Sequence, residues 1–315
     1  MPKILQYRRC AVLLGVKMTY SRKLKKTGKE FAFNIAVNSI SILIIIIVLV
    51  PLIFVLAASF SDPDLVLKGK VLLFPKGFTL KAYHMVFENL DIWRGYLNTI
   101  IYTVAGTAIS VVLTILAAYP LSRSQFFGRK YLLLILLFTM YFNGGMIPTY
   151  LLVRDMGMYD SIWAIILPSA ISTYNLIVAK TFFETSIPNE LYESALLDGC
   201  GNIKMLNKIV LPLAKSIIAI LILYYAVNMW NSYFSALIYL NDDKKYPLQI
   251  ILRNILLIGQ TEQFGTNDVG MAEKIKMAEA LKYSVIVVSS IPMIILYQFV
   301  QKHFVKGVMI GAIKG

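Results

Sequence analysis

Long stretches without charge organise this chain. Along its 315 residues, only six uncharged stretches reach the ~18 residues a helix needs to cross a bilayer. They are Phe31–Ser61, Gly95–Ser122, Tyr131–Val153, Ser161–Ala179, Ser216–Asn241 and Tyr283–Gln301. Each is rich in Leu, Ile, Val and Phe, as in Ile42-Leu43-Ile44-Ile45-Ile46-Ile47. Charged side chains are costly at the bilayer centre, so the pattern predicts an all-α membrane protein with six transmembrane helices. The expected organisation is a basic segment over 1–30, a first span over 31–61, a five-helix core over 95–301 and a tail over 302–315. The largest connections between spans are 62–94 and 242–282.

Composition agrees with a bilayer setting. The chain is 58% hydrophobic and 15% charged, with a mean hydropathy of +0.68. A soluble domain carries about 25% charged residues. The net charge is nevertheless +14, an excess that often marks a nucleic-acid or membrane-surface partner. Nucleic acid is excluded because such proteins place their basic residues on a water-facing scaffold. The position of the charges explains the excess instead. The N-terminus, 123–130, 180–215 and the C-terminus together hold 19 Lys and Arg against 5 Asp and Glu, whereas 62–94, 154–160 and 242–282 hold 12 of each. Basic loops stay in the cytoplasm, so both termini are expected there and the whole excess lies on one side.

The first apolar stretch follows a basic region and ends near Ala57-Ala58-Ser59, as a secretory signal would. A signal's apolar region spans about 7–15 residues, and this one is roughly twice that, so it reads as an uncleaved span. Met18 is an alternative start, and the residues before it look dispensable. Cys10 and Cys200 are the only cysteines, which excludes a disulfide framework.

One connection differs from the others. Between the fourth and fifth spans the chain reads Ile187-Pro188-Asn189-Glu190-Leu191-Tyr192-Glu193-Ser194-Ala195-Leu196-Leu197-Asp198-Gly199-Cys200 and runs on to Ile209-Val210-Leu211-Pro212. Pro188 suits a first helical turn, where Glu190 and Glu193 complement the helix dipole. Gly199 and Gly201 permit a sharp reversal, and Asn202 is placed to cap a second short helix ending before Pro212. The expectation is a helix-turn-helix knob that docks into a cleft on a cytoplasmic partner.

This loop resembles that of permease subunits of binding-protein-dependent ABC importers. Their pattern is Glu-Ala-Ala, two residues, Asp-Gly, nine residues, then Ile-x-Leu-Pro. Here Glu193-Ser194-Ala195, Asp198-Gly199 and Ile209-x-Leu211-Pro212 match it, with Ser194 replacing an alanine. Phe74-Pro75-Lys76, Tyr83, Leu97-Asn98-Thr99, Ala117-Ala118-Tyr119-Pro120-Leu121-Ser122-Arg123, Gly144-Gly145-Met146-Ile147-Pro148 and the tail from Gln301 to Gly315 look like carbohydrate-importer permeases. The tail resembles the smaller permease of maltose-type pairs, and the fuller match is to a Gram-positive branch for oligo- and polysaccharide uptake. The resemblance implies a type I ABC importer permease fold in a bacterial cell membrane. It also implies a second homologous permease, two ABC ATPase subunits that bind ATP and Mg, an external solute-binding protein and a carbohydrate substrate. Loop 184–215 would couple to the ATPase, with Glu193 facing a basic group and Gly199 making the close turn. The tail would reach the ATPase or anchor at the membrane surface through Lys302 and Lys306.

In the fifth span Tyr224, Asn228 and Asn231 repeat at helical spacing and share a face. Neutral amides and aromatic rings suit a sugar, but such residues also join helices to one another. Both readings stand for these three, and for Asn143 and Asn175. Loop 242–282, with Ile250-Ile251-Leu252 and Ile255-Leu256-Leu257, either meets the solute-binding protein or re-enters the lipid. No span has an ionisable residue in its interior, which disfavours proton coupling and with it half of a secondary carrier. His84 and His303 lie in opposite loops and share no metal site. The chain has no phosphate-cradling Gly-rich motif, no metalloprotease motif and no nucleophile elbow, so neither ATP hydrolysis nor intramembrane catalysis is expected of it. An importer of a peptide or polyamine is the alternative to a sugar importer.

Overall fold

The computed structural model describes residues 28–261 and 269–312. The basic segment through Thr27, with Cys10 and Met18, lies outside the described residues, as do 262–268, 313–315 and the side chains from Lys302 onward. The chain divides into two units, 1–52 and 53–315. In chain order the helices are α1 Gly28–Ser59, α2 Pro63–Leu67, α3 Lys81–Glu88, α4 Leu90–Ser122, α5 Arg129–Tyr141, α6 Met146–Asp155, α7 Ile162–Ile166, α8 Thr173–Ser186, α9 Asn189–Leu197, α10 Asn202–Met205, α11 Leu211–Leu213, α12 Lys215–Trp230, α13 Tyr233–Tyr239, α14 Leu248–Thr261 and α15 Val269–Ala312. The described residues contain no strand.

In the first unit the described part of α1 exposes nearly every side chain, Ile42 to Leu49 among them. An apolar surface of this kind matches lipid rather than water. The second unit is built around α4, which packs along α8 and α12. Asn89 caps its start by accepting the Asp91 and Ile92 amides at 3.0 and 3.2 Å. This cap lets α4 begin five residues before its uncharged stretch. Its buried face is lined with small and hydroxyl residues, Gly95, Thr99, Thr103, Gly106, Thr107, Ser110 and Thr114, which admit close helix approach in membranes.

Three helices are long and apolar enough to cross a membrane unbroken, Ala32–Ser59, Leu90–Ser122 and Leu281–Gln301. Three bent helix pairs accompany them, two of which coincide with predicted spans. The third predicted span turns through 113° between Tyr141 and Met146 and the fourth through 51° between Ser169 and Thr173. The stretch predicted as the fifth, Ser216–Asn241, is divided between α12 and α13. An 83° bend at Ala214 joins α12 to the helical arm that precedes it from Asn202. The count is six if each pair is one span. Local chemistry accounts for each break. Asn143 Oδ1 accepts the Gly145 amide at 2.9 Å and closes a turn. Pro168 opens a short 3-10 turn over Leu167–Ser169, after which the Ser172 hydroxyl caps α8. Pro212 lacks the amide needed to continue a regular helix, and the preceding turn, Leu206–Val210, takes π geometry.

Helices α2, α3 and α14, and the start of α15, lie in connections that the charge pattern left as loops. Helix α14 packs on α4, with Leu248 and Ile250 buried. The apolar residues expected to meet a soluble partner or lipid are thus partly used within the chain. Helix α15 begins well before Tyr283 and packs against α14, α12 and α3.

Candidate functional site

The loop between α8 and α12 forms a compact two-armed knob. Its first arm, α9, starts at Asn189, with Pro188, expected in the first turn, as its cap residue. Its end explains the Ala195-x-x-Asp198-Gly199 spacing. The Gly199 amide donates to Leu196 O at 3.0 Å, and the Cys200 amide donates to Ala195 O at 2.9 Å. This paired reversal ends many helices and needs a left-handed residue at its centre. Gly199 fills that place with φ +70°.

The second arm corrects one expectation. Asn202 is the first residue of α10 and Gly201 occupies the cap position, where no side chain bonds. This arm also does not end before Pro212. It continues through the π turn and α11 to the bend at Ala214. The Ile209-x-Leu211-Pro212 pattern is therefore the hinge between knob and fifth span. Val210 and Ala214 are buried there, with Ile209 and Leu211 packed against the same cluster.

The knob has a packed side and a free side. Tyr192, Ala195, Met205 and Leu206 join a cluster with Tyr119 and Leu121 of α4, Phe183 of α8 and Ile217 of α12. Glu190, Glu193, Ser194, Asp198 and Gly199 are exposed. Flanking the turn, Leu197 and Ile203 are 89% and 78% exposed. The free side is thus a small acidic surface edged by bare aliphatic side chains.

A cleft of about 590 Å³ separates α9 from the end of α4, lined by Tyr119, Arg123, Phe127, Tyr192, Glu193 and Ile203 among others. Across it, the Arg123 guanidinium lies over the Tyr192 ring, 3.2 Å from its centroid. Burial pushes the Tyr192 phenol up to about 12, against the opposing pull of Arg123. Close by, Glu184 of α8 pairs with Lys180 at 2.7 Å and with Arg129 of α5.

On α12, the expected shared face exists. Tyr224, Asn228 and Asn231 are all exposed, whereas Tyr225, Met229 and Trp230 are buried against neighbouring helices. The buried set performs the joining. The Tyr225 hydroxyl meets Thr114 Oγ1 at 2.6 Å and accepts the Ser172 amide, and Trp230 Nε1 donates to Ser289 O. Asn231 lies just past the helix end and returns its amide to Val227 O at 2.8 Å. Asn175 is buried at the start of α8, and Asn143 is consumed by its turn.

Sequence reasoning missed a clamp at the end of α4 farther from the knob. Asn98 Nδ2 donates to Lys244 O and Tyr246 O at 2.8 and 3.1 Å. Thr99 Oγ1 accepts the Leu248 amide, and Tyr102 donates to Lys245 O, both at 2.8 Å. Asp160 braces the same segment by accepting the Asn241 and Asp242 amides and pairing with Lys245 at 2.5 Å. These contacts hold its carboxyl down at about 2, with Lys245 the largest cause. The Leu97-Asn98-Thr99 motif was the visible signal, although its spacing named no partner.

A helical body with apolar, membrane-length helices and a two-armed knob whose tip is left open fits a membrane transport component. Residues 110–310 match the model of the binding-protein-dependent transport system inner membrane component, and the chain belongs to that family. It is 42% identical over 287 residues to the polygalacturonan/rhamnogalacturonan transport system permease protein YtcP of Bacillus subtilis, covering 91% of this chain and all of that one. Protein LplC of Bacillus subtilis is also 42% identical, over 85% of this chain and 90% of its own length. A crystal structure of a bacterial ABC transporter that imports the acidic polysaccharide alginate contains a chain with a TM-score of 0.80 and 32% identity, covering 90% of this chain and 100% of that chain.

Proposed function

We propose that this chain is one permease subunit of an ATP-driven importer that moves an oligosaccharide into a bacterial cell. In this reading it has six spans and both termini in the cytoplasm. A second permease completes the pathway, an external solute-binding protein delivers the sugar, and two ATPase subunits carry ATP and Mg. Loop 184–215 docks into the ATPase through Glu193, Ser194, Asp198 and Gly199. Ala195 and the Ile209, Leu211 and Pro212 hinge anchor the knob to its spans. The exposed face of Tyr224, Asn228 and Asn231 contributes to the sugar path or to the seam with the second permease.

The observation that carries the proposal is the knob itself, with its acidic, aliphatic-edged tip left open while its other side is built into the spans. The named relatives support a carbohydrate over a peptide or polyamine, because polygalacturonan, rhamnogalacturonan and alginate are the substrates in their names. The test is ATPase stimulation of the reconstituted complex, with its binding protein, across acidic and neutral oligosaccharides, peptides and polyamines. Stimulation by a subset of the sugars is expected. Silence toward every sugar with a clear response to a peptide or polyamine overturns the substrate assignment.

A further inference from the structure

Helix α9 is joined to the spans at few points. Among its residues only Tyr192 and Ala195 are buried, and the cleft of about 590 Å³ opens beside it toward the end of α4. Besides the apolar cluster that Tyr192 and Ala195 share with Tyr119 and Leu121 of α4, a cationic contact bridges that cleft, the Arg123 guanidinium 3.2 Å from the centroid of the Tyr192 ring. Arg123 is the residue at which α4 ends, with its amide returned to Pro120 O at 3.0 Å. Its backbone is thus fixed to the span and its side chain to the knob. Tyr192 is 6% exposed and its hydroxyl has no hydrogen-bond partner. The ring face is therefore its polar connection, and Glu193, the next residue, is exposed at the same cleft.

We infer that Arg123 is a positioning residue for energy coupling: by gripping the Tyr192 ring it makes the knob and α4 move as one body. This inference rests on the coupling role proposed above for loop 184–215. A guanidinium suits the task because it is planar, permanently charged and able to stack on an aromatic face. Without it, a push delivered at Glu193 and Gly199 would be absorbed by closure of the cleft instead of displacing α4.

The test uses the complete complex, with both permeases, the ATPase subunits and the binding protein, reconstituted in vesicles. The readout is sugar transported per ATP hydrolysed, alongside the amount of complex assembled. Arg123→Ala is expected to lower that ratio about threefold to tenfold, on the scale of a cation–ring contact, while ATP hydrolysis continues. Arg123→Lys should recover part of the ratio. Tyr192→Phe keeps the ring and should behave as wild type, whereas Tyr192→Leu should match Arg123→Ala. A purely packing role would lower transport and hydrolysis together with complex abundance and leave the ratio unchanged. That outcome, or equal damage from Tyr192→Phe and Tyr192→Leu, overturns the inference. If Arg123→Ala fails to assemble, the two Tyr192 variants decide it. Gly199→Asp serves as the control. If it remains coupled, the docking role of the knob fails. If it uncouples and Arg123→Ala does not, only the Arg123 inference fails.

Discussion

Gly199 allows the knob to be tested by a single substitution whose structural cost can be worked out. At φ +70°, a Cβ added there would meet nothing within 4 Å. Steric clash is absent and only backbone strain remains, about 1–2 kcal/mol for an ordinary L-residue in left-handed geometry. Asp and Asn tolerate that geometry better than most residues. Domains are commonly stable by about 5–15 kcal/mol, so Gly199→Asp should reach the membrane in normal amount. Its effect on docking should be larger. If the turn is enclosed by the ATPase, the new carboxylate loses its water, and the effective penalty for a buried unpaired charge is several kcal/mol. A penalty of about 3 kcal/mol weakens docking about a hundredfold, since each 1.4 kcal/mol is tenfold.

The assay is uptake of labelled oligosaccharide, with permease abundance measured by immunoblot and ATP hydrolysis in the purified complex. Gly199→Asp should abolish uptake at unchanged abundance. Gly199→Asn has nearly the same shape without the charge and should retain a measurable part. Wild-type uptake by Gly199→Asp would falsify the view that this turn enters a partner. Equal loss in both variants would assign the effect to volume rather than charge.

Three further outcomes follow from other contacts. Leu197→Ser should leave the thermal stability of the isolated permease within ~0.5 kcal/mol, as expected for a surface change, yet weaken recovery of the ATPase in pull-down. Gly95→Val should destabilise by about 1–3 kcal/mol through overpacking, because even a Cβ there lies 2.3 Å from Ile251 Cδ1 and 3.2 Å from the Leu248 amide; thermal unfolding in detergent measures it. The Asp160 carboxylate is favoured in the fold, so its contribution is present above the ordinary value of 3.8 and is lost as pH falls through about 2. Asp160→Asn should therefore lower the unfolding temperature at pH 7, and the gap to wild type should close below pH 2.

The absence of charge identified where membrane-crossing chain lies, because a charged side chain is excluded by solvation alone. It could not show whether such chain is one helix. The breaks at Asn143–Gly145 and Pro168 depend on local hydrogen bonds and proline geometry that an uncharged stretch conceals, and the bend after Pro212 falls before the fifth stretch begins at Ser216. Helix ends were misplaced for a related reason. Asn89 extends α4 outward past Asp91 and Arg94, and α8 runs on through Lys180 and Glu184 to Ser186. Charged residues can remain helical where a span leaves the lipid, and charge counting treats them as loop. At the knob, the Asp198-Gly199 pair was legible because left-handed geometry all but specifies glycine. The Arg123–Tyr192 contact was not, since it joins residues 69 positions apart and neither is unusual in its own segment.

Helix α4 shows most clearly what the uncharged stretch concealed. Its 33 residues make a rod of about 50 Å at ~1.5 Å per residue. At one end Asn98, Thr99 and Tyr102 fasten residues 244–248, and at the other Arg123 reaches the knob. Between them the hydroxyls of Thr103, Thr107 and Ser110 are buried without a hydrogen-bond partner, and Gly106 faces the flexible end of Met229. Fixed bonds to other elements therefore resume only at Thr114, which meets Tyr225. Close packing thus holds the middle of α4, while its directional bonds to other elements are gathered toward its ends.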